Sequence, residues 1–443
     1  MTSIAQIAKA LRTVLTTTAN RAARATRFVQ RRSKLSGAKF VQTLVFGWLA
    51  NPEATYEELA QTAATLGVRI SPQGLEQRLT EAAAQCVERV LQAAVQQVIT
   101  AAPVAIPLLQ RFTAVYVDDS TQVQLPAVLA ALWAGSGGGA QAGEPTAALK
   151  LQVRLDLKRG GLTGPFVQAG RASDRSSPTQ HGPVPAGSLR LADLGYFALA
   201  VLQRIAQQQA YWLTRLMAGT QVYDPQGQAL DVAACLPAQG SAVIDRSVRL
   251  GVQHRLPARL IAVRVPQEVA NLRRRDLHAA ARRRGQAVSP ARLRLADWTL
   301  FCTNVPPELL SAREVLVVAR VRWQIELVFK LWKSSGHLAH SRSDKPWRVL
   351  GEVYAKLVGL LIQHWVMVTS LWRYPDRSAW KAAQTLRKHA LHLASAFVDG
   401  LAALSAALQV VQRTLAAGCR LNKRKKNPCT FQLLLALTEE KLA

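Results

Sequence analysis

The chain has 443 residues, 49% of them hydrophobic and 19% charged, a composition that favours packed domains over a disordered chain. Lys and Arg number 56 against 27 Asp and Glu, which leaves a formal net charge of +29. Such a balance predicts a polyanionic partner and argues against cationic substrates. The 5 cysteines contain no CxxC pair, so a disulfide framework and a zinc finger are poor interpretations and a reducing cytosol is favoured.

The N-terminal segment is one-sidedly basic, because no acidic residue precedes Glu53. Four arginines in it recur at near-helical spacing: Arg21, Arg24, Arg31 and Arg32. A solvated helix face is one interpretation of this pattern. Mutual repulsion in so one-sided a run favours the other, which is contact with phosphates.

Two helix starts follow this basic segment. Thr55 and Glu58 have the spacing of a capping box, and Ser71-Pro72 places a capping residue before a proline at the first turn. Gly67 separates the two predicted helices. Helix, glycine turn and helix is the order of a DNA-reading helix-turn-helix, although many helical bundles share it.

Strand patterns begin at residue 112. The β-branched and aromatic run 112–117 predicts a strand that ends at Asp118-Asp119-Ser120-Thr121. The glycine-rich stretch 135–139 lacks the Lys-Ser/Thr of a phosphate loop and is interpreted as an ordinary loop. Residues 149–158 alternate strictly between apolar and polar, which predicts a half-buried strand, and Gly160-Gly161 turns it into a hairpin partner.

The later part of the chain alternates further strands and helices. A strand-like stretch before Asp193 leads into a helix, and residues 211–213 form another short strand. Residues 216–300 hold short strands and an arginine-rich helix, and are interpreted as an inserted subdomain. The apolar run 357–372 is too short to span a membrane and predicts a buried core helix. The tail is helical and ends in a basic cluster at 420–426.

The predicted helix from Ala312 through Lys333 carries a charged face. At 100° per residue an apolar stripe forms from Val321, Ile325, Val328 and Trp332. Arg322, Glu326 and Lys333 fall within about 40° of one another beside that stripe. Ordinary surface pairing of Arg322, Glu326 and Lys330 is the alternative.

Two further carboxylates make ordinary surface pairing of Glu326 a less favoured interpretation. Asp119 ends the first predicted strand, and Asp193 lies between a strand and a helix. Each could simply cap a turn. Three acids on separate elements of a basic chain also suit Mg²⁺, because carboxylates are hard ligands and two such ions can hold the attacking and leaving oxygens of a phosphodiester.

These residues carry a family resemblance. The stretches 119–121 (Asp-Ser-Thr), 193–196 (Asp-Leu-Gly-Tyr) and 322–326 (Arg-Trp-Gln-Ile-Glu), followed by Lys333, resemble the DDE transposases of bacterial insertion sequences, in particular the insertion-sequence-four family. That family's signature is Tyr, two residues, Arg, three residues, Glu, six residues, Lys. Arg322, Glu326 and Lys333 fit this spacing, whereas the Tyr position holds Ala319.

The resemblance implies an α/β fold: an RNase H-like catalytic core, with a mixed sheet flanked by helices, interrupted by a β-rich insertion. It implies that Asp119, Asp193 and Glu326 are the catalytic metal ligands for Mg²⁺, with Mn²⁺ as a substitute. Asp118 competes for the first position, but adjacent strand residues point to opposite faces and the family wording favours Asp119.

The resemblance also implies DNA contacts. Arg322 and Lys333 would grip the backbone of the element's end, and the loss of the family Tyr at Ala319 weakens that grip. Related enzymes stack an extruded base on an indole of the insertion, for which Trp298 is the better placed of Trp298 and Trp323. A tryptophan of the core is nevertheless the favoured interpretation of Trp298.

The expected protein is therefore a DNA transposase that binds terminal inverted repeats and performs Mg²⁺-dependent cleavage and strand transfer. Its partners would be double-stranded DNA, both ends and target, and a second copy when two ends are paired; no membrane is expected, and the location would be the bacterial cytoplasm at the nucleoid. The rival hypotheses are a catalytically inactive, transposase-derived DNA-binding protein and a structure-specific nuclease on the same fold. The predicted segments are a helical DNA-binding region (1–105), the first part of the core (106–216), the insertion (217–300), the second part of the core with the Glu-bearing helix (301–372) and a helical basic C-terminal region (373–443).

Overall fold

The structure is a computed structural model that describes residues 2–31, 33–136, 146–238, 240–374, 376–422, 432–434 and 436. Arg32, most of the predicted 135–139 loop and residues 423–426 of the predicted basic cluster lie outside the described residues. The chain divides into two compact units. The first unit comprises Met1–Ala105, Asp119–Ala172 and Gln324–Phe431, and the second comprises Ile106–Asp118, Ser173–Trp323 and Gln432–Ala443.

The α-helices are, in chain order, α1 (Ile4–Arg12), α2 (Ala19–Ala25), α3 (Gly37–Ala50), α4 (Tyr56–Thr65), α5 (Pro72–Arg78), α6 (Glu81–Val95), α7 (Pro107–Gln110), α8 (Leu199–Gln207), α9 (Val232–Ala238), α10 (Gln267–Arg283), α11 (Pro290–Leu295), α12 (Ala312–Val321), α13 (Trp323–Lys330), α14 (Pro346–Leu371), α15 (Ala379–Lys388), α16 (Ala390–Asp399) and α17 (Leu401–Ala417). The strands are β1 (Val115–Leu125), β2 (Ala147–Asp156), β3 (Leu162–Ala169), β4 (Leu189–Ala192), β5 (Tyr211–Arg215), β6 (Val222–Tyr223), β7 (Val243–Leu250), β8 (Leu256–Arg264) and β9 (Trp298–Thr303).

The first unit is built around α14, which packs against α3, α6 and α17. Every residue of α14 from Val349 to Val368 is buried, so the predicted core helix is confirmed and begins earlier than its apolar run. Among the described residues α14 is the one helix long and apolar enough to cross a membrane, and 94% of its most apolar window is buried inside the protein. Burial of this kind is what the core helix of a globular unit requires.

The two helix starts of the first unit are those expected. Thr55 and Glu58 form the capping box of α4, and Gly67 follows with a left-handed φ of +78°. Ser71 caps α5, and Pro72 occupies its first turn. The order helix, glycine turn and helix is therefore confirmed, whereas DNA reading by this pair stays a prediction.

The hairpin of the first unit differs from expectation in burial. β2 and β3 pair in antiparallel register around Gly160, as predicted. The half-buried prediction for β2 is wrong, because its polar positions are buried as well as its apolar ones. Lys150 donates to the carbonyl of Ala172 at 2.6 Å, and Gln152 donates to Gln168 at 3.3 Å. Such hydrogen bonds offset the cost of burying polar groups.

The second unit contains the strand order β1-β4-β5-β9-β8-β7-β6, to which β1 contributes its first four residues. β1, β4 and β5 run parallel, and from β5 to β9 and onward to β6 the neighbours are antiparallel, so the sheet is mixed. α8 packs against β5 and α12 against β7. A hydrophobic cluster that includes Trp212, Phe197 and Leu260 forms the core of this unit.

The two units are composed differently from the predicted segments, which stay predictions. A unit boundary falls after residue 105, residues 119–172 belong to the first unit, and residues 173–323 belong to the second. β9 pairs with both β5 and β8, so strands from residues 217–300 continue the sheet of β4 and β5.

Candidate active site

The two neighbouring acids of β1 have different surroundings. β1 continues to Leu125, beyond the predicted end of the strand at 118–121. Asp118 is 0% exposed, and its Oδ2 accepts a hydrogen bond from Nε of Arg190 at 2.6 Å. Asp119 is half-buried, and its Oδ1 accepts the amide of Ser120 at 2.8 Å. The buried ion pair of Asp118 favours Asp119 as the candidate metal ligand.

Arg190 on β4 connects several polar groups that the sequence analysis missed. Its guanidinium is 2% exposed, and its Nη2 donates to Oε1 of Gln180 at 2.8 Å. Nε2 of Gln180 donates in turn to the carbonyl of Tyr196 at 3.0 Å. An arginine between two leucines of a strand was the available signal, because a buried charge requires a partner.

Asp193 follows β4 and precedes a short 3₁₀ turn, 194–196. Its side chain is 40% exposed, and its Oδ1 lies 3.6 Å from Nη2 of Arg215. Gly195 in this turn leaves room for Asp174, since a Cβ there would stand 2.5 Å from Oδ2 of that aspartate. The glycine of the Asp-x-Gly-Tyr motif is thus explained by close packing.

The predicted helix that carries Glu326 is divided into three segments. α12 ends at Val321, Arg322 forms a turn, and α13 starts at Trp323 with Glu326 half-buried in its first turn. A π-helical turn, Leu331–Ser335, follows. A π turn advances less per residue than the 100° used for the prediction, so Lys333 departs from its position on the ideal helical wheel, and its shared face with Glu326 stays a prediction.

The apolar stripe of this helix is largely confirmed. Val321, Ile325 and Trp332 are buried, whereas Val328 is only half-buried. Phe329 is buried instead, as the fourth member of the stripe. Lys333 is exposed, yet the surrounding protein lowers the pKa of its ammonium below the ordinary value by desolvation.

The candidate ligands are distributed over both units. Asp119 and Glu326 belong to the first unit and Asp193 to the second. No group of three or more His, Cys, Asp or Glu residues poised to hold a metal ion is found within the described part of the chain. Convergence of the three carboxylates therefore stays a prediction.

The two tryptophans weighed for base stacking behave differently. Trp298 is 6% exposed and packs with Leu236, Ile244 and Ala262. This burial favours the core interpretation of Trp298, and its base-stacking role stays a prediction. Trp323 is 56% exposed.

Arginines that project outward lie in both units. Arg21, Arg24 and Arg31 are exposed in the first unit. On α10, Arg273 donates to the carbonyl of Trp298 at 2.8 Å and Arg274 pairs with Asp297 at 2.6 Å. The exposed arginines in and just after α10 are Arg275, Arg282, Arg283 and Arg284.

Comparison with known proteins places the chain in a family. The family model described as "Transposase DDE domain" matches residues 114–362. The transposase for insertion sequence element IS231F of Bacillus thuringiensis subsp. israelensis is 27% identical over 363 residues, covering 77% of this chain and 75% of the relative. The transposase for insertion sequence element IS1151 of Clostridium perfringens is 22% identical over 375 residues, covering 79% and 78%.

A solved structure gives a weaker likeness. The piggyBac transposase in its synaptic complex with hairpin DNA aligns with 98% of this chain and 89% of its own at 7% identity and a TM-score of 0.44. A score this low carries no argument about the present chain. The family model and the two insertion-sequence relatives suffice: the chain belongs to the DDE transposases of insertion sequences.

Proposed function

We propose that this protein binds the terminal inverted repeats of its element and catalyses metal-dependent strand cleavage and strand transfer, the cut-and-paste form of DNA transposition. A water would attack the phosphodiester at the element's end and break the bond to its 3′ oxygen. The freed 3′-hydroxyl would then attack the other strand or the target DNA. Membership of the transposase family and the register of β1 with β4 support this proposal.

The register is the observation that carries it. β1 and β4 are parallel neighbours in which Asp118 lies opposite Ala192. Asp119 follows Asp118 within β1, and Asp193 follows Ala192 at the carboxyl end of β4. Because successive strand side chains alternate, Asp119 points away from the face of β1 that carries Asp118. Ligands of open α/β sheets bind beyond the carboxyl ends of parallel strands.

The donor set fits a hard divalent cation. All three proposed ligands, Asp119, Asp193 and Glu326, are half-buried carboxylates, accessible enough to receive an ion. Oxygen donors of this type suit Mg²⁺, with Mn²⁺ as a substitute. Such ions supply an activated water and stabilise the attacking and leaving oxygens.

We propose an RNase H-like core for the fold. The support is the antiparallel β2–β3 hairpin of the first unit and, in the second unit, a mixed sheet that contains the parallel strands β1, β4 and β5. Helices accompany the strands in both units. Asp119 would mark the first strand of that core and Glu326 its last helix.

DNA contacts are proposed for half-buried Arg322 and for the exposed residues Lys333, Arg21, Arg24 and Arg31. Arg322 and Lys333 would hold the backbone of the element's end, and Arg21, Arg24 and Arg31 would contact phosphates farther along. Arginine and lysine at such positions contribute affinity without reading sequence. We also propose that two copies act together when two ends are paired, in the bacterial cytoplasm at the nucleoid.

Glu326→Gln tests the catalytic assignment in an assay with the element's own ends and Mg²⁺. Cleavage should fall by about a hundredfold or more, since an electrostatic element of the transition state is removed, while end binding stays within about twofold. Glu308→Gln, at an exposed acid 18 residues earlier in the chain, is the control and should cleave normally. Normal cleavage by Glu326→Gln would remove the proposed mechanism.

Ala319 favours one second candidate, a transposase-derived protein that binds DNA without cutting it. It is half-exposed on α12, at the position where the family has a tyrosine. The same assay separates the candidates with the unaltered protein. Binding without cleavage indicates the inactive derivative, cleavage without joining indicates a nuclease, and both steps together indicate a transposase.

A further inference from the structure

We infer that Arg190 is a positioning residue for metal binding: within the second unit it links Asp118, which precedes Asp119 in β1, to the turn that begins at Asp193. This inference rests on the proposed function, because it assumes that Asp119 and Asp193 are ligands. Its support is independent of motif matching, since neither Arg190 nor its partners Asp118 and Gln180 belong to the motifs that identify the family. One buried guanidinium makes the hydrogen bonds that link the two segments.

The first link runs to the strand of Asp119. Arg190 lies opposite Tyr116 in the parallel register of β1 and β4. Its Nε reaches along the sheet to Oδ2 of Asp118, two residues farther on, at 2.6 Å. This fixes the side chain of Asp118 on one face of β1. Strand alternation then directs Asp119 to the opposite face.

The second link runs to the turn of Asp193. Nη2 of Arg190 binds Gln180 at 2.8 Å, and Gln180 binds the carbonyl of Tyr196 at 3.0 Å. The amide of Tyr196 donates to the carbonyl of Asp193 at 3.0 Å, which closes the turn. The guanidinium carbon also lies 5.9 Å from the centroid of the Tyr196 ring.

Only an arginine can make both links at once. Its planar fork presents several donors in fixed directions, whereas a lysine is a single point charge. Lysine at 190 could pair with Asp118 but could not also hold Gln180 in the same geometry. Groups that orient metal ligands in this way typically change metal affinity or activity by about 10–100-fold when they are altered.

The test compares three variants of the full-length protein: Arg190→Lys, the double variant Asp118→Asn with Arg190→Gln, and Arg259→Lys. The double variant removes both buried charges together and leaves neither one unpaired, so it remains informative if Arg190→Lys fails to fold. Arg259 is the matched control, because it also pairs with an aspartate, Asp245, in the same unit. Its other contacts are the carbonyls of Val305 and Leu310, which adjoin no proposed ligand.

Each variant is measured in three ways: Mn²⁺ binding without DNA by electron paramagnetic resonance, thermal melting, and cleavage of element ends across a Mn²⁺ titration. Arg190→Lys and the double variant should weaken Mn²⁺ binding by about 10–100-fold and raise the Mn²⁺ needed for half-maximal cleavage equally, with end binding unchanged. Arg259→Lys should lower the melting temperature while leaving Mn²⁺ binding as in the unaltered protein.

Two outcomes would overturn the inference, and a third result belongs to the proposed function. Variants of Arg190 that melt earlier but bind Mn²⁺ normally would show a merely structural ion pair. Equal losses of Mn²⁺ affinity in Arg190→Lys and Arg259→Lys would show a general effect of instability. Glu326→Gln, run in parallel, reports on the proposed function itself: its normal cleavage would reject the catalytic carboxylates, whatever the arginine variants do.

Discussion

The helices α14 and α10 place charge in opposite surroundings. α14 is buried along nearly its whole length, and the charged residues Glu352 and Lys356 lie within that buried part. α10 has Ala270 as its one buried residue and carries six arginines in and just after it. Charge inside α14 is matched by named partners, whereas most of the charge on α10 faces solvent.

The two helices show two roles of charged residues, a structural role and a ligand-directed role, that the amino-acid composition alone cannot distinguish. Lys356 donates to Oε1 of Glu352 at 2.7 Å and to the carbonyls of His337 and His340 at 3.1 and 2.8 Å. All three of its donors are used within the fold. An exposed arginine such as Arg282 adds little to stability, yet it is available to a polyanion. A net charge of +29 therefore contains both structural and ligand-directed charges.

The largest expected effect comes from removing the buried ammonium of α14. Lys356→Met leaves the buried carboxylate of Glu352 without its cationic partner and two carbonyls without a donor, so the free energy of unfolding should fall by about 3–5 kcal/mol. Denaturant unfolding measures it. Arg282→Met on the exposed side of α10 is the control and should change that free energy by no more than about 0.5 kcal/mol. Similar losses in the two variants would erase the distinction between the helices.

A second effect concerns His364, also buried in α14. Its Nε2 is hydrogen-bonded to the carbonyl of Gly160 at 2.7 Å, and burial lowers the pKa of its imidazole to about 4. In the unfolded chain the pKa of this ring is the ordinary 6.5. Between about pH 6.5 and pH 4 the imidazole is therefore protonated in the unfolded state and neutral in the native state. Stability should fall as pH drops from about 6.5 towards 4, by about 2 kcal/mol between pH 7 and pH 5.

His364→Gln retains a donor for Gly160 and removes the titrating ring. Urea unfolding at pH 7 and pH 5 should therefore show a smaller loss on acidification than in the unaltered protein. His392→Gln, an exposed histidine on α16, is the control and should keep the full loss. An unchanged pH dependence in His364→Gln would mean that other groups cause it.

The third expected effect concerns DNA binding by the exposed arginines in and just after α10. Replacing Arg275, Arg282, Arg283 and Arg284 by Gln should flatten the dependence of DNA affinity on salt by about one unit of log–log slope for each phosphate that is no longer bound. Arg273 and Arg274 sit on the same helix but bind Trp298 and Asp297. Their replacement by Gln should lower the melting temperature and leave the slope unchanged. Equal slopes in all variants would mark α10 as a solvated helix.

Local signals in the sequence predicted much of this fold. The capping box of Thr55, the glycine turn of the β2–β3 hairpin and the apolar run of α14 each act within a few residues, so the pattern alone reveals them. The second face of β2 is buried by segments that are distant in sequence. The alternation of apolar and polar residues within β2 carries no information about those segments.

The candidate site, too, was only partly predictable from the sequence. Motif wording singled out Asp119, Asp193 and Glu326 and favoured Asp119 over Asp118. The pairing of Asp118 with Arg190, 72 residues away in the chain, supports that preference, but no local pattern could reveal it. The π turn at Leu331–Ser335 was equally invisible, because a helical wheel assumes one constant angle per residue.

The smallest expected effect belongs to Lys333, and it sharpens the comparison at the level of one residue. Lys333 is exposed, yet desolvation by the surrounding protein lowers the pKa of its ammonium. A lysine that is already partly dehydrated loses less water on meeting a phosphate. Lys333→Ala should therefore weaken end binding and reduce the salt slope by about one unit, uniformly across DNA sequences.

Lys330→Ala is the matched control for Lys333→Ala, because Lys330 is exposed three residues away and lies outside the family signature. Its salt slope should stay within error of the unaltered protein. Titration of end binding between about 50 and 200 mM salt measures both variants. If the two variants reduced the slope equally, the exposed lysines of this helix would form one undifferentiated basic surface, and the family position of Lys333 would carry no special contact.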